Sequence, residues 1–176
     1  MNNNTNGFTL VELMLTLVIF TTLISMIVPS LTSLYAYIRA ELNIRKIQQT
    51  ILFARNQAIA YNTRVTVCPL DGNSCSKNWH YNISVFSDSG QKYSLDGNDQ
   101  LILQIGPFHT SDLVQYNRRG IRFQGDGLAS GTNGTLSYCP EKFNSELSKA
   151  VIVSQSGRTR FSKKKIISCK NNSCHL

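Results

Sequence analysis

From Phe8 to Leu34 the chain is apolar, with Glu12 as its only charge. A run of about 20 or more apolar residues is long enough to cross a bilayer as a helix, which places this segment in a membrane rather than a soluble core. An ionisable group inside such a span costs about 2.5 kcal/mol or more, so it is usually retained for a task. A secretory signal would show a basic stretch, an apolar run and then a small-residue cleavage site. Here the small residue, Gly7, precedes the run.

Gly7-Phe8-Thr9-Leu10-Val11-Glu12 resembles the class III signal of type IV pilins and type II secretion pseudopilins. The resemblance implies that a prepilin peptidase cuts after Gly7 and that the new N-terminal Phe8 is methylated. It also implies that Glu12 neutralises the amine of a neighbouring Phe8 as helices pack into a fibre with other pilin subunits. The expected divisions are a leader at 1–7, a transmembrane helix half at 8–31, an amphipathic helix half at 32–62 and a β-rich head at 63–176. Such a chain is single-pass in the bacterial inner membrane, head in the periplasm, before assembly into a pilus or pseudopilus. The leader has no Lys or Arg, so orientation rests on the α-amino group and the signal itself.

Beyond the anchor, about 110 residues remain after the helix, enough for one core. All five cysteines lie there, where a pilin faces an oxidising periplasm. Cys68 and Cys75 flank the turn-rich Pro69-Leu70-Asp71-Gly72-Asn73-Ser74 and are the favoured pair. Cys139 pairs with Cys169 or Cys174, or those two close their own ring; the odd count leaves one thiol unassigned. Cys169, Cys174 and His175 lack the spacing and second ligand pair of a zinc site, so no metal or cofactor is expected.

Apolar residues at Ile44, Ile47, Ile51, Ala54 and Ala58 recur in steps of three and four, so the helix continues past the membrane as an amphipathic half. Polar Arg45, Gln48, Gln49, Arg55 and Asn62 fill its other faces. From Phe8 to about Tyr61 the helix amounts to a rod of roughly 80 Å. Pro29 interrupts it, with the hydroxyls of Thr21, Thr22 and Ser25 available to soften the lost bond. Short β-branched and aromatic runs follow, at 65–68, 81–86, 101–105, 120–123, 135–139 and 150–154, separated by Gly, Asn and Asp. The fold class is therefore α+β: a pilin-like long N-terminal helix packed on a small antiparallel head. The glycine-rich stretch 125–134 reads as a flexible connection.

Within the pilin group the chain resembles the GspH/FimT subgroup. The resemblance rests on Ala54-Arg55-Asn56-Gln57-Ala58-Ile59, Val65-Thr66-Val67-Cys68-Pro69, Trp79, and Gly157-Arg158-Thr159-Arg160. In FimT-type proteins of naturally transformable bacteria a Gly-Arg-x-Arg motif is associated with DNA. Charge fits this association: from Leu147 onward the chain carries Lys149, Arg158, Arg160, Lys163, Lys164, Lys165 and Lys170 and no acid, +7 of the formal +8. Paired guanidiniums suit phosphate oxygens, and contacts to the phosphate backbone carry little sequence information. Arg158, Arg160, Lys163, Lys164, Lys165 and Lys170 are thus the candidate DNA-binding residues, with Arg118, Arg119 and Arg122 as a second cluster and Phe161 as a stacking residue. The competing expectation is a structural minor pilin or secretion pseudopilin of the priming complex with no DNA ligand. An enzyme is not expected: His80, His109 and His175 are scattered. Asp88, Asp96, Asp99, Asp112 and Asp126 read as turn formers.

Overall fold

The computed structural model describes residues 9–129, 131–140, 147–163, 168–170 and 173–175, of which 29–30, 168–170 and 173–175 are described by backbone alone. Helix α1 spans Leu10–Ala60. Its first turn is closed by Thr9, whose hydroxyl accepts from Glu12 N at 3.3 Å while its carbonyl accepts from Leu13 N at 3.2 Å. Thr9 is thus an N-cap and Glu12 stands at the third helical position, where a carboxylate also complements the helix dipole.

The chain divides into two compact units, Met1–Ala36 and Tyr37–Leu176. In the first, the helix is apolar and its side chains are exposed from Leu10 to Val28. The hydroxyls of Thr21, Thr22 and Ser25 donate to carbonyls three residues earlier at 2.8–2.9 Å, so the polar groups of this apolar stretch are satisfied within the helix. The helical backbone is continuous through Pro29, contrary to the interruption expected there. Proline removes one donor, and the neighbouring turns remain bonded.

In the second unit the helix buries one stripe, Ala40, Ile44, Ile47, Ile51, Ala54 and Ala58, as the three-and-four spacing requires. It ends at an αL residue, Asn62 (φ 46°), where Asn62 N bonds Ile59 O and Thr63 N bonds Ala58 O, a Schellman closure built on Asn instead of Gly.

Twelve strands follow among the described residues. They are β1 (Val65–Cys68), β2 (Leu70–Asp71), β3 (Ser74–Cys75), β4 (Ile83–Ser87), β5 (Leu101–Ile105), β6 (Leu113–Tyr116), β7 (Ile121–Phe123), β8 (Gly134–Cys139), β9 (Lys149–Val153), β10 (Thr159–Phe161), β11 (Ser168–Lys170) and β12 (Ser173–His175). All pairings are antiparallel: one sheet ordered β5-β4-β1-β7, a second ordered β10-β9-β8-β6, and the hairpins β2-β3 and β11-β12. One core joins the helix stripe to Val65, Val67, Val85 and Phe123 of the first sheet and Leu136, Tyr138, Val151 and Val153 of the second. Trp79 is buried in it, 5.4 Å from the Tyr116 ring.

Two buried carboxylates tie this unit together. Asp112 bonds Arg39 of α1 at 2.9 Å and accepts from the Tyr138 hydroxyl, which in turn accepts from Asn43 at 2.7 Å. Asp88 bonds Arg122 at 2.8 Å and accepts from Thr66 Oγ1 and, at 3.2 Å, from Tyr93 N. The turn-former reading therefore fails for Asp88 and Asp112, because each meets an arginine that only the tertiary fold brings near. It holds for Asp96, Asp99 and Asp126, which accept from the backbone N–H groups of Gln91, Ser89 and Leu128. Cys68 and Cys75 form a disulfide that closes the β2-β3 hairpin. Cys139 is disulfide-bonded too, and its expected partners, Cys169 and Cys174, have side chains outside the described residues.

Candidate nucleic-acid interface

β10 is the edge of the second sheet and carries Arg160, with Arg158 just before it. Arg160 stands opposite Ile152, whose neighbours Val151 and Val153 turn into the core, so Arg160 projects from the outer face. Arg158, two residues earlier, lies just outside the strand, where its backbone bonds Ser154, and both arginines are exposed. Thr159 is half-buried opposite Val153. Strand alternation thus turns Thr159 to the side opposite Arg160.

The turn before them is held from below. Gly157 adopts φ +74° and is buried; a Cβ there would collide with the carbonyl oxygen of Gly127 and lie 2.8 Å from Arg55 Nε. Arg55 Nε donates to that same Gly127 carbonyl at 3.1 Å, and its Nη2 donates to Ser156 O at 3.4 Å. Ser154 completes the turn: its N and Oγ both donate to Arg158 O, and its Oγ accepts from Arg158 N. The glycine of the motif therefore acts through backbone conformation and close approach. Arg55, expected on the polar face of the helix, instead reaches the head and bonds two of its loops.

The 125–134 stretch differs from a flexible connection for the same reason. Ala129 N donates to Gln155 O at 2.9 Å, and Thr132 exchanges side-chain bonds with Arg122 backbone groups and accepts the Tyr116 hydroxyl on its carbonyl. Its glycines permit a folded path that the bonds then fix.

Lys163 is exposed just after β10. Lys164 and Lys165 lie outside the described residues, as do Gly7 and Phe8; Lys170 is placed on β11 by its backbone only. Phe161 turns toward α1, with the Arg45 guanidinium 5.9 Å from its ring centroid. In the second cluster Arg118 and Arg119 are exposed and adjacent, whereas Arg122 is not available with them. Its side chain is 17% exposed, and both its bonds go to Asp88, one to the carboxylate and one to the carbonyl. Tyr93, beside this cluster, has its hydroxyl pushed up from the ordinary value by burial, against the opposing pull of Arg122, Arg119 and Arg118.

Among solved structures, the type IV minor pilin FimU of Pseudomonas aeruginosa strain PAO1 superposes on this chain in two crystal forms. The P21 form gives a TM-score of 0.57 at 15% identity, covering 74% of this chain and 94% of that one. The P65 form gives 0.57 at 14%, covering 73% and 98%. The fold is that of a type IV pilin. No curated protein matches at a comparable level. The prokaryotic N-terminal methylation motif matches residues 2–28. Residues 43–157 match the family model described as type II transport protein GspH, and the chain belongs to that family. It is a minor pilin or pseudopilin. Membership implies contact with other pilin subunits, and the methylation motif implies peptidase processing and anchoring in the inner membrane.

Proposed function

We propose that this minor pilin binds extracellular DNA through Arg158, Arg160 and the lysines after them, with little sequence preference, and supports DNA uptake in natural transformation. The observation that carries this reading is the presentation of the arginine pair: Arg160 exposed on an edge strand and Arg158 exposed just before it, next to a turn that Gly157 and Arg55 hold in place. A planar guanidinium offers phosphate oxygens a fork of donors, and a pre-ordered pair loses less freedom on binding. In the proposed arrangement the head lies in the periplasm before assembly and on the fibre afterwards, where its disulfide is at home in an oxidising compartment. Glu12 pairs with the Phe8 amine of a neighbouring subunit within the fibre.

The test is binding of duplex DNA to the full chain in a nonionic detergent across salt. If about five cations meet phosphates, log affinity falls against log salt with a slope near −4 to −5, a loss of roughly 10²- to 10³-fold between 50 and 200 mM. Changing Arg158 and Arg160 to Gln should reduce that slope by about 2; a wild-type slope near zero sinks the proposal. The family description, with its reference to type II transport, favours a second reading: a structural subunit of a priming complex without a DNA ligand. Deletion that abolishes secretion or piliation while DNA uptake persists selects that reading.

A further inference from the structure

Tyr93 and Asn62 are the two described non-glycine residues with positive φ, and Tyr93 (φ 65°) has no helix end to explain it. A bulky residue in this region costs about 1–3 kcal/mol and persists where surrounding contacts impose it. Here the backbone is pinned on both sides, by Tyr93 N donating to Asp88 at 3.2 Å and Cys75 N donating to Tyr93 O at 3.0 Å. The half-buried ring packs beside the Cys68–Cys75 disulfide. It serves as a post for two cations: Arg119 lies 5.3 Å and Lys92 5.1 Å from its centroid. Arg118 is oriented separately, its Nε donating to Asn133 O at 2.6 Å.

Lys77, Arg118 and Arg119 line one cleft of about 370 Å³ with Trp79 and Asn117, and among the described residues no carboxylate lines it. Asp88 is paired with Arg122, and Asp112, which lines a neighbouring pocket, is paired with Arg39. Like charges converging without a counter-charge mark a place for an anion.

The sheet relates this cleft to the arginine pair. Asn117 exchanges hydrogen bonds with Thr135, Thr135 stands opposite Ile152, and Ile152 stands opposite Arg160. The row crosses from the β6 edge to the β10 edge, three strand spacings or about 14 Å. The major groove of B-DNA is about 12 Å wide.

We infer that Lys77, Arg118 and Arg119, which line this cleft, together with Lys92, which shares the Tyr93 ring with Arg119, form a second phosphate-binding site on the head, and that one DNA duplex bridges it and the Arg158–Arg160 site. The two sites meet the phosphate lines on either side of one groove. This inference rests on the DNA reading above and adds a ligand-spanning geometry to it.

The experiment measures a 20-base-pair duplex against the full chain in nonionic detergent, comparing wild type, K77Q/R119Q, R158Q/R160Q and all four changes together. Lys77 and Arg119 are exposed, and these changes spare the structural bond of Arg118. K77Q alone is a milder check that touches no core residue. The expected result is an unchanged melting temperature, a salt slope reduced by about 2 for K77Q/R119Q, and about 60-fold weaker binding at 0.1 M salt. K77Q alone reduces the slope by about 1, and the stoichiometry stays at one duplex per chain. Wild-type binding with K77Q/R119Q unchanged overturns this site while leaving the arginine-pair reading intact. Two duplexes per chain overturn the bridging geometry, and no binding by wild type overturns both readings.

Discussion

Gly157 and Gly131 share nearly the same φ, +74° and +73°, yet only one of them is crowded. A Cβ on Gly131 would meet nothing within 4 Å, whereas on Gly157 it would strike the Gly127 carbonyl and approach Arg55 Nε to 2.8 Å and Arg55 Cδ to 3.2 Å. Both alanine variants incur the left-handed penalty of about 1–2 kcal/mol. Gly157→Ala must also displace Arg55 or the Gly127 carbonyl, and loss of a charged hydrogen bond costs about 1.5–3 kcal/mol more. The two variants should therefore differ by about 2 kcal/mol, which for a head of this size separates their melting temperatures by about 6 °C. Differential scanning calorimetry on the full chain reads the difference directly. On the DNA reading, displacement of the turn also spreads Arg158 and Arg160, so Gly157→Ala should bind DNA about tenfold more weakly, about 1.4 kcal/mol, while Gly131→Ala binds as wild type. Equal melting temperatures for the two variants would refute the claim that close approach, beyond backbone conformation, demands glycine at 157.

Replacing Cys68 and Cys75 by Ser opens a ring whose ends are 7 residues apart. It should cost about 2.5 kcal/mol and lower the melting temperature by about 8 °C, read by the same calorimetry; an unchanged melting temperature contradicts it. Acid should destabilise the head through Glu41 and Asp99. Burial acts to raise both carboxyls, but bonds from Arg45 and Lys149 to Glu41, and from Ser89 to Asp99, prevail and hold them below their ordinary 4.5 and 3.8. The folded chain then binds fewer protons than the unfolded one, so this stability is complete above about pH 5 and lost as pH falls through the lowered values. Urea midpoints measured from pH 6 downward should fall, less steeply for Glu41→Gln, and a variant curve parallel to wild type counts against the Glu41 share.

What could be read in advance followed the range of the interactions involved. The apolar run and the Ile44-Ile47-Ile51 stripe are local periodicities, and they announce the helix and its buried face. Six strands were visible as β-branched runs between turn residues. β6 was not, because Leu113–Tyr116 alternates too weakly to stand out, and β10 was hidden inside a stretch that reads first as charge. Arg158 and Arg160 are both exposed, and their two-residue spacing was the reason to expect one side for them in an extended segment. The roles of Arg55 and Arg122 were not: Arg55 is bonded to carbonyls 72 and 101 residues away and Arg122 to an acid 34 residues away. No local pattern separates a cation that holds the head together from one offered to a ligand. Tyr93 was equally silent, since its backbone conformation is imposed by Asp88 and Cys75 rather than by its own neighbours in sequence.

The stripe on α1 is nearly self-similar: Ile44, Ile51 and Ala58 repeat at seven residues, as do Ala40, Ile47 and Ala54. Hydrophobic burial alone would tolerate sliding the helix two turns along the sheets, since apolar side chains would again meet apolar side chains. Arg39, Asp112, Asn43 and Tyr138 remove that ambiguity, because any slip would strand Asp112 as an unpaired buried charge at a cost of about 3–5 kcal/mol. They act as an index pin. The height at which the head is fastened along the part of the helix it packs on is set by four polar side chains.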